Sequence, residues 1–428
     1  MEKGKYEFLI VGSGAGGATL ARELARKGKA VLVVEKGKHE KKVGTLRDSR
    51  KYFDMSKPVK LPAESKEGVV MWRTFMAGGT TVVSCANGVR CLEKELADFS
   101  IDLEEEFIEA EKEMKVSTSE EFLAKGSETI REASEKLGYK MELMPKFIDS
   151  ERCEKCGGCV MGCACDAKWS ALRYLEEAQQ HGADVLYRTT VESIILNNGK
   201  VQGVRGKGPH GPIEILSDVV ILAAGGLTTP VILHRAGIKN AGEDFFIDLF
   251  VNTYGVTNGL NQCHEPVMAL IDDEFYESNG FILSPFVNQP RLIRFVEIGP
   301  KAFFHPSNKL LGIMTKTADD PAGRVYPDGS VSKPVTQRDW SRLNGGASIS
   351  KEILIKAGAD KKSIVVSKPQ GAHPGGTAAI GKIVNSNLET EIKNLFVCDA
   401  SVLPRSPGKP PILTLVALAK RQVKILTS

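Results

Sequence analysis

The sequence predicts an α/β dinucleotide-binding fold joined to a smaller antiparallel sheet, and three observations carry that prediction. At the amino terminus a strand, a glycine turn, a helix, a second strand and an acid follow one another within a unit of about 30 residues. Between residues 184 and 226 a run of short strands leads into a further strand that ends in glycines. From about residue 243 to 366 the pattern changes to strand-like pieces broken by Pro, Gly and Asn. Such a stretch suits an antiparallel sheet and therefore a second domain.

The first unit can be justified part by part. Phe8 to Val11 is an apolar strand, residues 12–17 read GSGAGG, Ala18 to Lys27 has helical periodicity, and the strand Ala30 to Val34 ends at Glu35. Gly12 allows the tight turn, Gly14 lets a pyrophosphate approach the backbone, and Gly17 lets helix and strand pack closely. The helix amino terminus then faces phosphates, and Glu35 can accept from ribose hydroxyls. A plain tight turn is the alternative reading of these glycines.

Residues 101–150 are charged and amphipathic, with Leu103, Phe107, Ala110 and Met114 at helical spacing, and predict two helices covering a domain edge. Ser170 to Gln180 reads as a helix and Asp184 to Tyr187 as a strand. Val191 to Leu196, Val201 to Val204 and Ile213 to Leu216 read as a three-strand meander, before a separate strand Val219 to Ala224 that ends at Gly225 and Gly226. Strand-like pieces in the second domain include Val267 to Ile271, Phe281 to Leu283, Leu292 to Val296 and Leu310 to Thr315. The last residues return to glycine turns, a strand Leu395 to Val397 and a helix Leu413 to Leu426. The expected division is a discontinuous first domain, 1–242 with 367–428, and a second domain, 243–366. A nucleotide unit, a meander and a returning glycine-ended strand form the layout of flavoproteins with a two-dinucleotide fold.

Composition excludes several classes. Of 428 residues, 42% are hydrophobic and 26% charged, and 57 Lys and Arg against 53 Asp and Glu leave a net charge of +4. That excess is too small and dispersed for a nucleic-acid surface. The longest apolar runs fall far below the roughly 18 residues of a membrane span, so no transmembrane segment and a cytoplasmic location are expected. Glycine is high, at 42 residues, against a usual share of about 7%. Nine cysteines at irregular spacing in a long chain do not resemble a secreted disulfide framework.

Four ordered motifs carry a family resemblance. They are the amino-terminal glycine fingerprint; Gly78-Gly79-Thr80-Thr81 with Asn87; Ala223-Ala224-Gly225-Gly226-Leu227-Thr228-Thr229-Pro230; and His373-Pro374-Gly375-Gly376-Thr377, followed by residues 394–401, NLFVCDAS. Over nearly its whole length the chain resembles the glucose-methanol-choline (GMC) flavoprotein oxidoreductases. The resemblance implies FAD and oxidation of an alcohol carbon by hydride transfer to the flavin. It implies that Gly78, Gly79 and Thr80 lie along the flavin, that Asn87 stands near its ring, and that Gly225 and Asp399 help hold the cofactor; an ordinary glycine loop and a capping Asp are the alternatives. His373, in the matching motif, is the expected base, because removing hydride from a carbinol carbon requires the hydroxyl proton to leave too. His264 and His305 read as solvated or packed. One departure matters: relatives place a second Asn or His in a G-x-N/H-P turn, and here that turn is Gly408-Lys409-Pro410-Pro411. Proline brings neither a polar side chain nor an N–H, so Lys409 or a residue of the second domain must substitute, or the reaction differs.

The cysteines at 153–165 follow a Cys153-x2-Cys156-x2-Cys159-x3-Cys163-x-Cys165 pattern. Short intervals place several thiolates around one small volume, as iron-sulfur ligation requires. Bacterial FAD-dependent sugar and polyol dehydrogenases of the family resemble this chain in a C-x5-C-x3-C set here, which holds an iron-sulfur cluster; Cys153, Cys159 and Cys163 reproduce it. Cys156 is a further candidate that would convert a three-iron site (3Fe-4S) into a four-iron one (4Fe-4S), and Cys165 is the other. Long-chain alcohol oxidases also resemble the chain without a need for a cluster, and a structural zinc, unligated thiols or disulfides, the last disfavoured in a reducing compartment, are the remaining readings. The expected activity is an alcohol dehydrogenase acting on a polyol, sugar or lipid-like alcohol and passing electrons through the cluster to an acceptor protein or quinone. Its alternatives are a cluster-free oxidase using dioxygen and an electron-transfer subunit. An oligomer or heteromeric complex is compatible with either.

Overall fold

The computed structural model describes residues 6–56 and 61–428. Residues 1–5, at the start of the expected first domain, lie outside the described residues. Strand β1 (Tyr6–Val11) runs into helix α1 (Ala15–Arg26) and strand β2 (Val31–Val34). A short strand β3 (Val70–Met71) precedes the helical cover, α2 (Glu104–Met114) and α3 (Lys125–Glu135). Helix α4 (Ala171–Gln180) and strand β4 (Asp184–Leu186) lead into β5 (Thr190–Asn197), β6 (Lys200–Gly208) and β7 (Gly211–Leu222). Next come β8 (Leu249–Val256), β9 (Phe281–Pro285), α5 (Arg291–Ile298), β10 (Leu310–Thr317) and α6 (Gln337–Lys356). Strands β11 (Val365–Val366), β12 (Gln370–Gly371) and β13 (Leu395–Val397) and helix α7 (Ile412–Leu426) complete the order.

Among the described residues the main sheet has seven strands in the order β4-β2-β1-β7-β6-β5, with β13 also on β7. The pairs β4/β2, β2/β1, β1/β7 and β7/β13 are parallel, and their register sets Val11 beside Leu222 and Leu222 beside Val397. Three strands therefore end at one edge, and the turns after them begin at Gly12, Ala223 and Cys398. This carboxyl edge is where open parallel sheets bind ligands. Helix α1 buries Leu20, Ala21 and Leu24 against the sheet. The approach is close because Gly17 has no side chain: a Cβ there would stand 2.1 Å from the Gly12 carbonyl oxygen. Arg22 of α1 is buried as well, stacked 3.3 Å over the Tyr174 ring of α4 and paired with Glu23 and Glu113.

The expected break between Ile213–Leu216 and Val219–Ala224 is absent; both lie in the single strand β7. Residues 211–216 pair antiparallel with β6, and Ser217 onward pairs parallel with β1. Ser217 stays extended while its hydroxyl donates to the carbonyls of Glu7 and Val219, so one strand serves the meander and the parallel sheet together.

The second sheet has six strands among the described residues, in the order β9-β10-β8-β12-β3, with β11 also on β8. It takes β3 and β12 from the segments that flank residues 243–366. Two expectations for this region are corrected. Val267 to Ile271 is strand only over Leu270–Ile271, which pairs with Glu142–Leu143 in a separate two-stranded sheet. Leu292 to Val296 lies in helix α5 and not in a strand, since Pro290 stands at its start and the buried Arg294 guanidinium donates to the carbonyls of Asn288 and Gln289. Helix α6, hidden in the sequence by Gly345, Gly346 and several serines, is opened by a capping box between Thr336 and Asp339. Gly346 lets it lie tightly on the sheet, where a Cβ would meet the Thr315 side chain at 2.3 Å.

Candidate active site

A cavity of about 240 Å³ opens between the carboxyl edge of the first sheet and one face of the second. Gly14, Thr80, Asn87, Gly225, His373 and Asp399 all line it. Its two sides are built by different kinds of residue. The first sheet contributes backbone-rich turns, and the second contributes charged and apolar side chains.

On the first side, the glycines divide by role. Gly12 and Gly17 are packing positions, and a Cβ at Gly12 would meet the Ala223 carbonyl oxygen at 2.3 Å. Around Gly14 and Gly225 a Cβ would meet nothing within 4 Å, although both line the cavity. Their bare backbone faces open space, which suits a flat or charged ligand that must approach the chain closely. Gly78 and Gly79 both adopt positive φ, and Gly79 sits over Gly14. Ser13, which the sequence reading did not single out, joins these parts: Gly78 N–H donates to its hydroxyl, and the hydroxyl donates to Glu35 at 2.6 Å. Glu35 also accepts from the N–H groups of Ser13 and Gly37, and its burial pushes the carboxyl up from the usual range. Asp399 accepts from Ser401 N–H and hydroxyl with one oxygen and from Gly225 N–H and the Thr229 hydroxyl with the other. It thus caps its own turn while tying that turn to the glycines after β7.

On the second side stands His373, just after β12. Its Nδ1 lies 2.8 Å from Asp248 Oδ2 and 2.8 Å from Lys316 Nζ, and Lys316 Nζ lies 2.8 Å from the same carboxylate oxygen. The other oxygen of Asp248 accepts from the Ser406 hydroxyl at 2.5 Å and from Gly408 N–H at 3.0 Å. The Asp248 side chain is fully buried, and Lys316 is 4% exposed. The sheet explains the grouping. Asp248 immediately precedes β8, Lys316 is on β10, and the register pairs Phe250 with Lys316. Asp248 has a positive φ of 53°, a conformation that Asp tolerates better than most residues. Lys316 and the hydrogen bond from His373 hold the Asp248 carboxyl below its usual range in spite of burial. The His373 imidazole is pushed down from its ordinary value by burial and then by Lys316, with Asp248 opposing.

The turn at Gly408–Pro411 reaches the cavity through Pro410 and Pro411. Lys409 does not replace the missing polar group: its ammonium pairs with Asp273 at 2.7 Å and stands over the Tyr276 ring. His264 is exposed, and His305 is packed between the carbonyls of Lys301 and Ser363. Neither lines the cavity.

Cys153, Cys156, Cys159, Cys163 and Cys165 line one small cleft next to this cavity, and all are free thiols. Cys163 and Cys165 sulfurs are 3.5 Å apart. Among the described residues no three His, Cys, Asp or Glu side chains gather closely enough to hold a single metal ion. Two lysines stand between cleft and cavity. Lys146 donates to the carbonyls of Cys85 and Val267 and to Asn87 Oδ1, and Lys168 donates to the carbonyls of Ser84 and Cys159. Both are buried, and among the described residues neither forms an ion pair with a carboxylate.

Comparison with known proteins decides the family. The GMC oxidoreductase family model matches in two parts, over residues 6–260 and over residues 321–419. The chain belongs to the GMC oxidoreductase family. This GMC oxidoreductase is 30% identical over 425 residues to an uncharacterised protein of Methanocaldococcus jannaschii, covering 98% of this chain and 99% of that one. It is 26% identical over 506 residues to a long-chain-alcohol oxidase of Arabidopsis thaliana, covering 97% of this chain and 67% of that one. Its fold matches formate oxidase of Aspergillus oryzae with a TM-score of 0.76 and 16% identity, over 100% of this chain and 99% of that one. Membership makes the protein a flavin oxidoreductase. The open backbone at Gly14 and Gly225 fits FAD, with Gly14, Thr80, Gly225 and Asp399 among the cavity-lining residues that would hold it; Gly78 and Gly79 stand behind this lining. No helix among the described residues is long and apolar enough to cross a membrane.

Proposed function

We propose that this GMC oxidoreductase is an FAD-dependent alcohol dehydrogenase in which His373 is the base and an iron-sulfur cluster on the cysteine cleft passes electrons to a protein or quinone acceptor. The observation that carries the reading is the imidazole of His373, braced at Nδ1 by the buried Asp248 in the wall of the flavin cavity. With Nδ1–H donated to Asp248, the lone pair is on Nε2, and the depressed pKa keeps the ring neutral and able to accept the alcohol proton. Bound FAD would supply the acceptor for the carbinol hydrogen and its electron pair. Asp248 steadies the imidazole in its protonated form, as an orienting carboxylate does in other base-carboxylate pairs. Trp72, Phe250, Met268, Phe286 and Met314 line the same cavity, which favours an alcohol with an apolar body over a sugar.

Support for the cluster comes from the sharing of one cleft by all five thiols and from the charge beside them. Cys153, Cys156, Cys159 and Cys163 would hold it, and a multi-iron cluster spans thiolates that stand farther apart than the ligands of one ion. A cluster, when bound, carries electrons singly. Buried ammonium groups need compensating charge, and an anionic thiolate assembly would supply it to Lys146 and Lys168. The second reading is a cluster-free oxidase, favoured by the likeness to a long-chain-alcohol oxidase. Iron and acid-labile sulfide in anaerobically purified protein separate the two: both are expected beside flavin, whereas flavin alone with rapid peroxide formation in air would favour the oxidase.

A further inference from the structure

We propose that helix α5 and the turn after it form a membrane-docking surface, which seats the mouth of the reaction cavity on an anionic lipid bilayer. A helix at the surface of a globular domain normally turns its apolar stripe inward and its charges outward. Over residues 291–298, RLIRFVEI, two charges point inward and two large apolar side chains point out. Arg294 and Glu297 are buried, whereas Leu292 is 51% and Phe295 42% exposed. The buried pair is committed to the interior. Arg294 donates to the carbonyls of Asn288, Gln289 and His305, and Glu297 accepts from Asn252, Asn288, Gln370 and the Tyr254 hydroxyl. These bonds fix the rotation of the helix, so Leu292 and Phe295 are held outward.

The next residues continue the same face. In the short 3-10 segment Gly299–Phe304, Ala302 is buried, while Phe303 and Phe304 are 60% and 78% exposed. The Phe295 and Phe303 rings meet edge to face with centroids 6.0 Å apart, which joins helix and turn into one patch. Phe295, Phe303 and Phe304 are the only exposed phenylalanines among the described residues. Single exposed apolar side chains are ordinary, but a contiguous group marks a contact surface.

Charge says what covers it. From residue 289 to 309 the exposed charges are Arg291, Lys301 and Lys309, and the one acid, Glu297, is buried. The adjoining turn, whose Ser363 carbonyl lies 2.8 Å from His305 Nε2, adds Lys361 and Lys362 beside Asp360. Leucine and phenylalanine set among exposed cations suit the boundary between acyl chains and anionic head groups. A second copy meeting the patch about a two-fold axis would instead set cations against cations. The surface also adjoins the site: Phe286, Asn288 and Ile293 line the cavity, and Ile293 is on α5 next to Leu292. One helix thus borders the cavity and the bilayer together. Delivery of a lipid-borne alcohol along this border rests on the reading of the substrate as an alcohol with an apolar body; docking itself does not.

The test uses the full FAD-loaded chain and phosphatidylcholine vesicles made with and without phosphatidylglycerol. Flotation with the anionic vesicles is expected, weakened by about 1 M salt. The double variant Phe303→Ser with Phe304→Ser changes exposed side chains alone and should lower partitioning by on the order of tenfold, with flavin content unchanged. It should keep the wild-type rate of flavin reduction by a water-soluble alcohol and lose rate with a long-chain alcohol held in the vesicles. The emission that Phe304→Trp adds should be quenched by brominated acyl chains. No flotation with anionic vesicles, or flotation unchanged in the double variant, would overturn the proposal. A wild-type dimer that becomes a monomer in the double variant would overturn it too, by giving the surface to a second copy. If no alcohol reduces the wild-type flavin, the dehydrogenase reading fails, and flotation still decides the docking.

Discussion

At the scale of single residues, Gly14 and His373 stand in contrast, one an open stretch of backbone and the other a braced side chain. Gly14 has an ordinary φ of −70° and nothing within 4 Å of the place where a side chain would project. Gly14→Val is therefore expected to fold normally and to lose FAD, read as an absent flavin spectrum in protein with an unchanged circular dichroism spectrum. His373→Ala should keep FAD and lose on the order of 10²- to 10⁴-fold in the rate of flavin reduction by alcohol. The pH dependence has a definite sign. His373 ionises below the ordinary imidazole value, so the wild-type rate should stay level through neutral pH and fall only as acid protonates the ring. His373 was legible because it sits in a glycine-flanked motif. Asp248 and Lys316 were not, because each is a single charge inside an apolar run whose partner is set by the second sheet. That isolation was itself a signal: a lone acid in residues 245–251, FFIDLFV, and a lone lysine in 310–317 are buried charges that must be explained.

At the scale of elements, local sequence described the first sheet well because its strands and turns are short-range features. The amino-terminal strand, helix and strand form where the pattern places them, as does the last helix. Errors arose where long-range pairing overrode the local pattern. Strand β7 runs straight through Ser217 because each of its halves has a different neighbour. Helix α6 was hidden because its glycines are bad helix formers, retained for close packing on β10. Its start depends on the Thr336 and Asp339 capping box. Thr336→Ala is expected to destabilise the protein by about 1 kcal/mol, measured as a lower urea midpoint with an unchanged slope.

At the scale of the whole molecule, the two sheets divide the work. The first sheet offers a backbone cradle at the carboxyl edge of its parallel strands, and the second sheet brings His373, Asp248 and Lys316 to face it. The cysteine cleft lies on the same side, joined to the cavity through Lys168, which bridges the Ser84 and Cys159 carbonyls. Cys159→Ser is expected to lower iron and acid-labile sulfide sharply while leaving flavin content unchanged, measured by metal and sulfide analysis of anaerobic protein. The clustering of five thiols was plain in their spacing. The two carboxylate-free lysines beside them were not, since Lys146 and Lys168 enter from either side of the cysteine segment and meet only in the fold.

The most direct test of the central claim is anaerobic mixing of the FAD-loaded enzyme with a series of primary alcohols while the oxidised-flavin absorbance is followed. Bleaching by an apolar alcohol in the wild type, and its loss in His373→Ala with FAD still bound, is the expected result. A flavin band that persists with every alcohol, or that bleaches equally fast in His373→Ala, would contradict it.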